Sequence, residues 1–91
     1  MKLKFTHQSI RDLERLNEFI RIKNPSAAKR VSDELRKSIS RLVDQPRLGK
    51  ILEEIEKPET REWFAGDYVV RYVATSEHVV ILKIWHGKED R

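Results

Sequence analysis

The chain has 91 residues, 19 Lys+Arg against 15 Asp+Glu, three glycines and no cysteine. A chain this short forms one domain and buries roughly 60–65% of its unfolded surface, enough for one packed layer pair but not for a deep cleft. Lack of cysteine excludes disulfide staples, thiol nucleophiles and thiolate metal sites together.

Met1 is followed by Lys2-Leu3-Lys4-Phe5 rather than by the apolar core of a leader peptide. The longest apolar run, Val79-Val80-Ile81-Leu82, falls far short of the ~20 residues of a membrane span. We therefore expect a soluble, cytoplasmic protein with no membrane partner. The formal charge of +4 is unevenly spread: residues 1–45 hold 11 basic and 6 acidic side chains, residues 46–91 hold 8 and 9. The positive excess lies in the first half, so the second half is not a broadly basic surface.

In chain order, residues 2–6 alternate polar and apolar side chains, as a short half-buried strand does. Ile10, Leu13, Leu16 and Ile20, with Phe19 beside them, then form an apolar stripe at helical spacing. Ser9 and Asp12 have the spacing of a capping box, and the helix is expected to run to about Lys23. Asn24-Pro25 starts a second helix, with Asn as N-cap and Pro at its first position. Ala28, Val31, Leu35, Ile39 and Leu42 face one way along it, and it stops before Asp44-Gln45-Pro46. So short a connection predicts an antiparallel helical hairpin, with helices longer than those of a DNA-reading helix-turn-helix.

After Leu48-Gly49 the period changes to two. Residues 60–65, 68–74 and 78–86 read as strands joined by short turns at Gly66-Asp67 and Thr75-Ser76-Glu77. The fold class is α+β in the order β-α-α-β-β-β, one domain with the hairpin on a mainly antiparallel sheet. Parity along the strands puts Phe64, Val70, Tyr72, Val80, Leu82 and Ile84 toward the helices. It puts Arg61, Trp63, Val69, Arg71, Val73, Val79, Ile81, Lys83 and Trp85 on the other side. Three cations interleaved with two indoles suit an anion- or partner-binding surface, or a solvated sheet face shielded by long side chains.

His86 closes the last strand, where a histidine can transfer protons near neutral pH or simply bond to backbone. His7 and His78 are expected at the surface, and three histidines without metal-ligand spacing predict neither metal nor cofactor.

The ordered set Asp12-Leu13, Asn24-Pro25-Ser26-Ala27-Ala28, Leu42-Val43-Asp44-Gln45-Pro46-Arg47-Leu48-Gly49, Arg61-Glu62, Gly66-Asp67-Tyr68-Val69-Val70-Arg71-Tyr72 and Ile81-Leu82-Lys83-Ile84-Trp85-His86-Gly87 resembles the RelE/ParE superfamily. These are the toxins of bacterial type II toxin–antitoxin modules, and the match spans the chain. The resemblance implies a toxin held in a hetero-oligomeric complex by a cognate acidic antitoxin. RelE-like members cut mRNA in the ribosomal A site, and ParE-like members inhibit DNA gyrase.

For the nuclease branch the resemblance implies His86 as proton-transfer group, with Arg71, Arg61 and Lys83 as phosphate contacts. For either branch Trp63, Trp85, Arg61, Arg71 and Lys83 are candidates for target or antitoxin binding. In RelE-like nucleases a cation follows the tyrosine that opens the middle strand, and here Val69 stands there. A second cation after the last strand's glycine is matched by Glu89, and no tyrosine stands after Tyr72. Valine cannot stabilise a crowded phosphate and glutamate repels it. These departures favour the ParE-like branch.

Overall fold

The computed structural model describes residues 1–88; Glu89, weighed above, lies outside them. The elements are β1 (Lys2–Phe5), α1 (His7–Lys23), α2 (Pro25–Asp44), β2 (Lys50–Ile51), β3 (Thr60–Ala65), β4 (Tyr68–Ala74) and β5 (His78–His86). They form one sheet of five strands in the order β1-β5-β4-β3-β2, in which β1 runs parallel to β5 and the other pairs are antiparallel. The α+β architecture expected from the sequence is the one found, with β2 as an added two-residue edge strand.

The helices start where side chains can satisfy their free amides. Asn24 caps α2 by accepting from the Ala27 N–H, with Pro25 at the first helical position. In α1 the expected capping pair is displaced. Thr6 is the N-cap, its Oγ1 accepting from the Ser9 N–H at 3.1 Å, so the helix begins ahead of Ser9.

Asp12 does something else. Its Oδ2 accepts from the Ile84 N–H of β5 at 2.9 Å, and its Oδ1 accepts from Gln8 Nε2 at 2.9 Å. Thr6 Oγ1 also donates to the Leu82 carbonyl at 3.0 Å, and Arg15 Nη2 donates to the Ile84 carbonyl at 3.3 Å. β1 pairs with β5 only as far as Ile81. Beyond that point, Thr6, Asp12 and Arg15 take over the hydrogen bonds a longer strand would have made.

That polar seam fixes how α1 sits. Its buried residues are Ser9, Asp12 and Leu16, so the expected apolar stripe reaches the core through Leu16 and Leu13 only and shares that face with two polar residues. Leu13 and Ile20 are half-buried, while Ile10, Phe19 and Ile22 are 46%, 58% and 75% exposed. α2 behaves as its pattern predicts: Ala28, Leu35, Ile39 and Leu42 are buried and Val31 is half-buried. Their core partners on the sheet include Val70, Tyr72, Val79, Ile81 and Ile84.

Tyr72 also fastens the connection after α2. Its hydroxyl donates to the Pro46 carbonyl at 2.7 Å and accepts from the Gly49 N–H at 2.8 Å. A Cβ on Gly49 would lie 2.7 Å from the Tyr72 hydroxyl and 2.9 Å from the Glu62 carbonyl oxygen, so only glycine fits. Burial raises the Tyr72 pKa above 10.0, outweighing the lowering by the Gly49 hydrogen bond and the Arg61 charge.

Two stability predictions follow from these contacts. Asp12→Ala leaves the Ile84 amide buried without a partner and should cost about 1–3 kcal/mol in urea unfolding. Tyr72→Phe orphans the Gly49 amide and the Pro46 carbonyl and should cost a similar amount, about 1–3 kcal/mol. The Tyr72 contribution is complete below pH 10.0 and fades as pH rises through the elevated folded value, because the fold favours the neutral phenol. Tyr72→Phe should therefore lose part of the wild-type alkaline sensitivity in the same titration.

Candidate functional site

The site residues named from sequence do not share one surface, and register explains why. Gly66-Asp67 is a two-residue turn with positive φ on Gly66 alone, so Ala65 opposes Tyr68, Phe64 opposes Val69, and Trp63 opposes Val70. Trp63 thus shares the helix-facing side with Val70, and Phe64, expected inside, is 62% exposed on the other. A second shift occurs in β5. Tyr72 pairs with Ile81 but Arg71 pairs with Lys83, leaving Leu82 as an extra residue in a bulge. The bulge reverses parity, so Val79 and Ile81 face the helices together with Ile84 and are fully buried. Sorting the strand by strict alternation had placed them outside.

Trp63 packs against the core and donates its indole N–H to Ser38 Oγ of α2 at 3.0 Å. The Arg41 guanidinium lies 5.6 Å from its ring centroid. It is a joint between helix and sheet rather than an open contact residue. Arg61 is likewise committed. Nη1 donates to the Gly49 carbonyl at 2.7 Å and to the Arg47 carbonyl at 3.3 Å, while Nη2 pairs with Glu59 at 2.9 Å. Only 12% of its side chain is exposed. Its charge holds the loop that Tyr72 holds from the other side.

Arg71, Lys83 and Trp85 do come together on the outer face. Glu62 Oε2 accepts from Arg71 Nη2 at 2.7 Å and Nε at 3.1 Å, and the guanidinium lies 5.3 Å from the Trp85 ring centroid. Register aligns Lys50, Glu62, Arg71 and Lys83 as one row across four strands. The row holds three cations and one carboxylate, which is bonded to Arg71, and the like charges of Arg71 and Lys83 are direct cross-strand neighbours. Beside it runs an apolar row of Phe64, Val69 and Trp85. The outer face is thus a cationic stripe beside an aromatic one, a combination suited to contact with a macromolecular partner.

His86 lies elsewhere. It opposes Tyr68, whose ring meets it edge-on at 5.2 Å, and its Nδ1 accepts from the Lys88 N–H at 3.1 Å. With Arg15, Leu16, Phe19, Ile20 and Lys88 the two rings line a largely apolar cleft of about 440 Å³ on the helix side of the sheet. Sequence reasoning missed Tyr68, Phe64 and this cleft. The two-residue turn was the signal available for Phe64, since it fixes the pairing of β3 with β4. Among the described residues, no three His, Asp or Glu side chains gather to hold a metal ion, and no helix is long and apolar enough to cross a membrane.

Comparison with known proteins places this geometry. Residues 3–91 match the family described as ParE toxin of type II toxin-antitoxin system, parDE. Toxin RelE1 of Caulobacter vibrioides is 32% identical over 85 residues, spanning 89% of this chain and 87% of that protein. A chain from the structure titled "Chromosomal ParDE TA system from P. aeruginosa" superposes with a TM-score of 0.78 at 19% identity, covering 94% of this chain and 95% of the other. The last match supports the fold, and the first two establish kinship: this chain belongs to the ParE toxin family of type II toxin–antitoxin systems, in which a protein antitoxin is the partner.

Proposed function

We propose that the chain is a toxin that inhibits DNA gyrase by protein contact through the outer face of its sheet, and that a cognate acidic antitoxin neutralises it. The observation that supports this most is the separation of the residues an RNA-cleaving site would need. Breaking a phosphodiester requires a proton-transfer group and cations around one phosphate. His86 lines the helix-side cleft, Arg71 and Lys83 lie on the opposite face, and Arg61 is spent on loop carbonyls. Val69, at the place of a nuclease cation, is buried. Of the nuclease set only Arg71 and Lys83 are neighbours, and two cations alone supply no proton transfer.

A contact inhibitor needs none of that assembly. It needs an exposed surface with anchoring aromatics and charges that fix orientation, which Phe64, Trp85, Arg71, Lys83 and Lys50 provide. The Glu62 carboxylate and the Trp85 ring hold Arg71 in one orientation, so little side-chain entropy remains to be lost on docking. The name of the Caulobacter relative, Toxin RelE1, states a toxin and no target.

Supercoiling by purified gyrase tests the reading. The wild-type protein should inhibit it, and Trp85→Ala or Lys83→Glu should raise the concentration for half-inhibition about tenfold, as loss of an interface anchor does. Absence of inhibition at large molar excess would contradict the proposal. Ribosome-dependent mRNA cleavage that His86→Ala abolishes would replace it with the nuclease mechanism.

A further inference from the structure

The sheet ends in an open edge at β2. This strand is the last in the sheet order and only two residues long, and it pairs with β3 through Lys50 opposite Glu62 and Ile51 opposite Arg61. One residue further on, the Leu52 N–H donates to the Thr60 carbonyl at 2.8 Å. Bonded and non-bonded pairs alternate along an antiparallel ladder, so the N–H and C=O of Ile51 point away from β3 and out of the sheet. The Ile51 side chain is 42% and Phe64 62% exposed. With Leu52, Glu53 and Glu54 they line an open hollow of about 500 Å³ at this edge. A main-chain donor and acceptor facing outward beside exposed apolar side chains form a template for an added strand.

The charges around the edge identify the kind of strand. Residues 50–59 hold Glu53, Glu54, Glu56 and Glu59 against Lys50 and Lys57, an acidic stretch in a chain of net charge +4. Glu59 is paired with Arg61, whereas Glu53 and Glu54 are exposed and have no ion-pair partner among the described residues. An acidic antitoxin or a nucleic-acid backbone is repelled by such an edge. A second copy of this chain, added about a two-fold axis, would set the acidic stretch against itself. An extended segment bearing Lys or Arg satisfies both features, because its main chain pairs with Ile51 and its cations meet Glu53 and Glu54. The hollow also includes Lys50 and Glu62 of the charged row, so the edge is continuous with the outer face.

We infer that the β2 edge docks an extended, Lys- or Arg-bearing segment of the gyrase target, which adds a short strand to the sheet. The inference rests on the gyrase reading above and deepens it by giving the contact a direction. The Arg71–Lys83 end of the outer face accepts acidic groups of the partner, and the Glu53–Glu54 end accepts basic ones. Ile51 offers two main-chain hydrogen bonds, which align the segment, while the hollow and the two carboxylates supply the remaining contacts.

The test measures binding of purified gyrase holoenzyme, without DNA, to the immobilised wild-type chain and to variants whose folding is checked by circular dichroism. Glu53→Lys combined with Glu54→Lys should weaken binding about tenfold or more. The same change of charge made by Glu14→Lys with Glu34→Lys, at exposed positions of the two helices, should leave binding unchanged. Ile51→Pro removes the outward N–H but none of the bonds to β3, and should also weaken binding about tenfold. If Ile51→Pro fails to fold, the exposed glutamates decide the matter. Unchanged binding of the folded Glu53→Lys, Glu54→Lys variant, or an equal loss in the helix variant, would overturn the assignment while leaving gyrase contact in place. Failure of the wild-type chain to bind gyrase at all would instead remove the gyrase reading, and the edge assignment with it. A wild-type dimer that Ile51→Pro dissociates would reassign the edge to a second copy.

Discussion

Everything in this fold turns on the mismatch between a nine-residue β5 and the four-residue β1 beside it. An open strand edge next to a helix must be satisfied by something, because buried amides and carbonyls without partners cost more than most packing contacts return. Thr6, Asp12 and Arg15 satisfy it, and in doing so they assign the face of α1 nearest the sheet to polar chemistry. The helix contributes Leu16 to the core and leaves Phe19 and Ile22 outside. The same seam brings the second half of α1 alongside the end of β5, where Leu16 and Phe19 share a cleft with Tyr68 and His86.

The two sides of the sheet acquire different characters for equally local reasons. A two-residue turn at Gly66-Asp67 and an extra residue at Leu82 decide which side chains meet. They gather Lys50, Glu62, Arg71 and Lys83 into one charged row and send Trp63 into the helix interface. They also keep His86 apart from Arg71 and Lys83, the cations that the nuclease reading assigns to it. The loop after α2 is held by Tyr72 and Arg61, and that loop leads into the short β2 beside the outer row. Arg61 thus supports the outer surface while offering little of itself to a partner. The fold and the different characters of the two sides of the sheet are consequences of where the backbone finds its hydrogen bonds.

Much of this was legible in the residues. Asn24-Pro25, the stripe ending at Leu42, and the three long strands announce themselves through capping, periodicity and turn chemistry, and the structure reproduces all of them. The ordered motifs carried the family as well. What alternation alone could not supply was register. Parity is defined within a strand, and relating one strand to the next requires the turn geometry and any bulge between them. Phe64 and Trp63 were exchanged for that reason, and Val79 and Ile81 were misplaced by the single residue Leu82. Asp12 was misread because the local capping pattern is the same whether its carboxylate serves its own helix or a strand 72 residues away. The +4 charge is spread over helix-surface pairs such as Lys29 with Asp33, a loop clamp at Arg61 and the outer row that holds Arg71 and Lys83.

If toxicity resides on the outer face of the sheet, His86 on the helix side is dispensable for it and Trp85 is not. The most direct measurement is growth after induction of Trp85→Ala and His86→Ala in cells that lack the antitoxin. Folded Trp85→Ala should permit growth, and His86→Ala should arrest it as wild type does. The reverse pattern, with Trp85→Ala as toxic as wild type and His86→Ala harmless, would contradict a contact mechanism on the outer face.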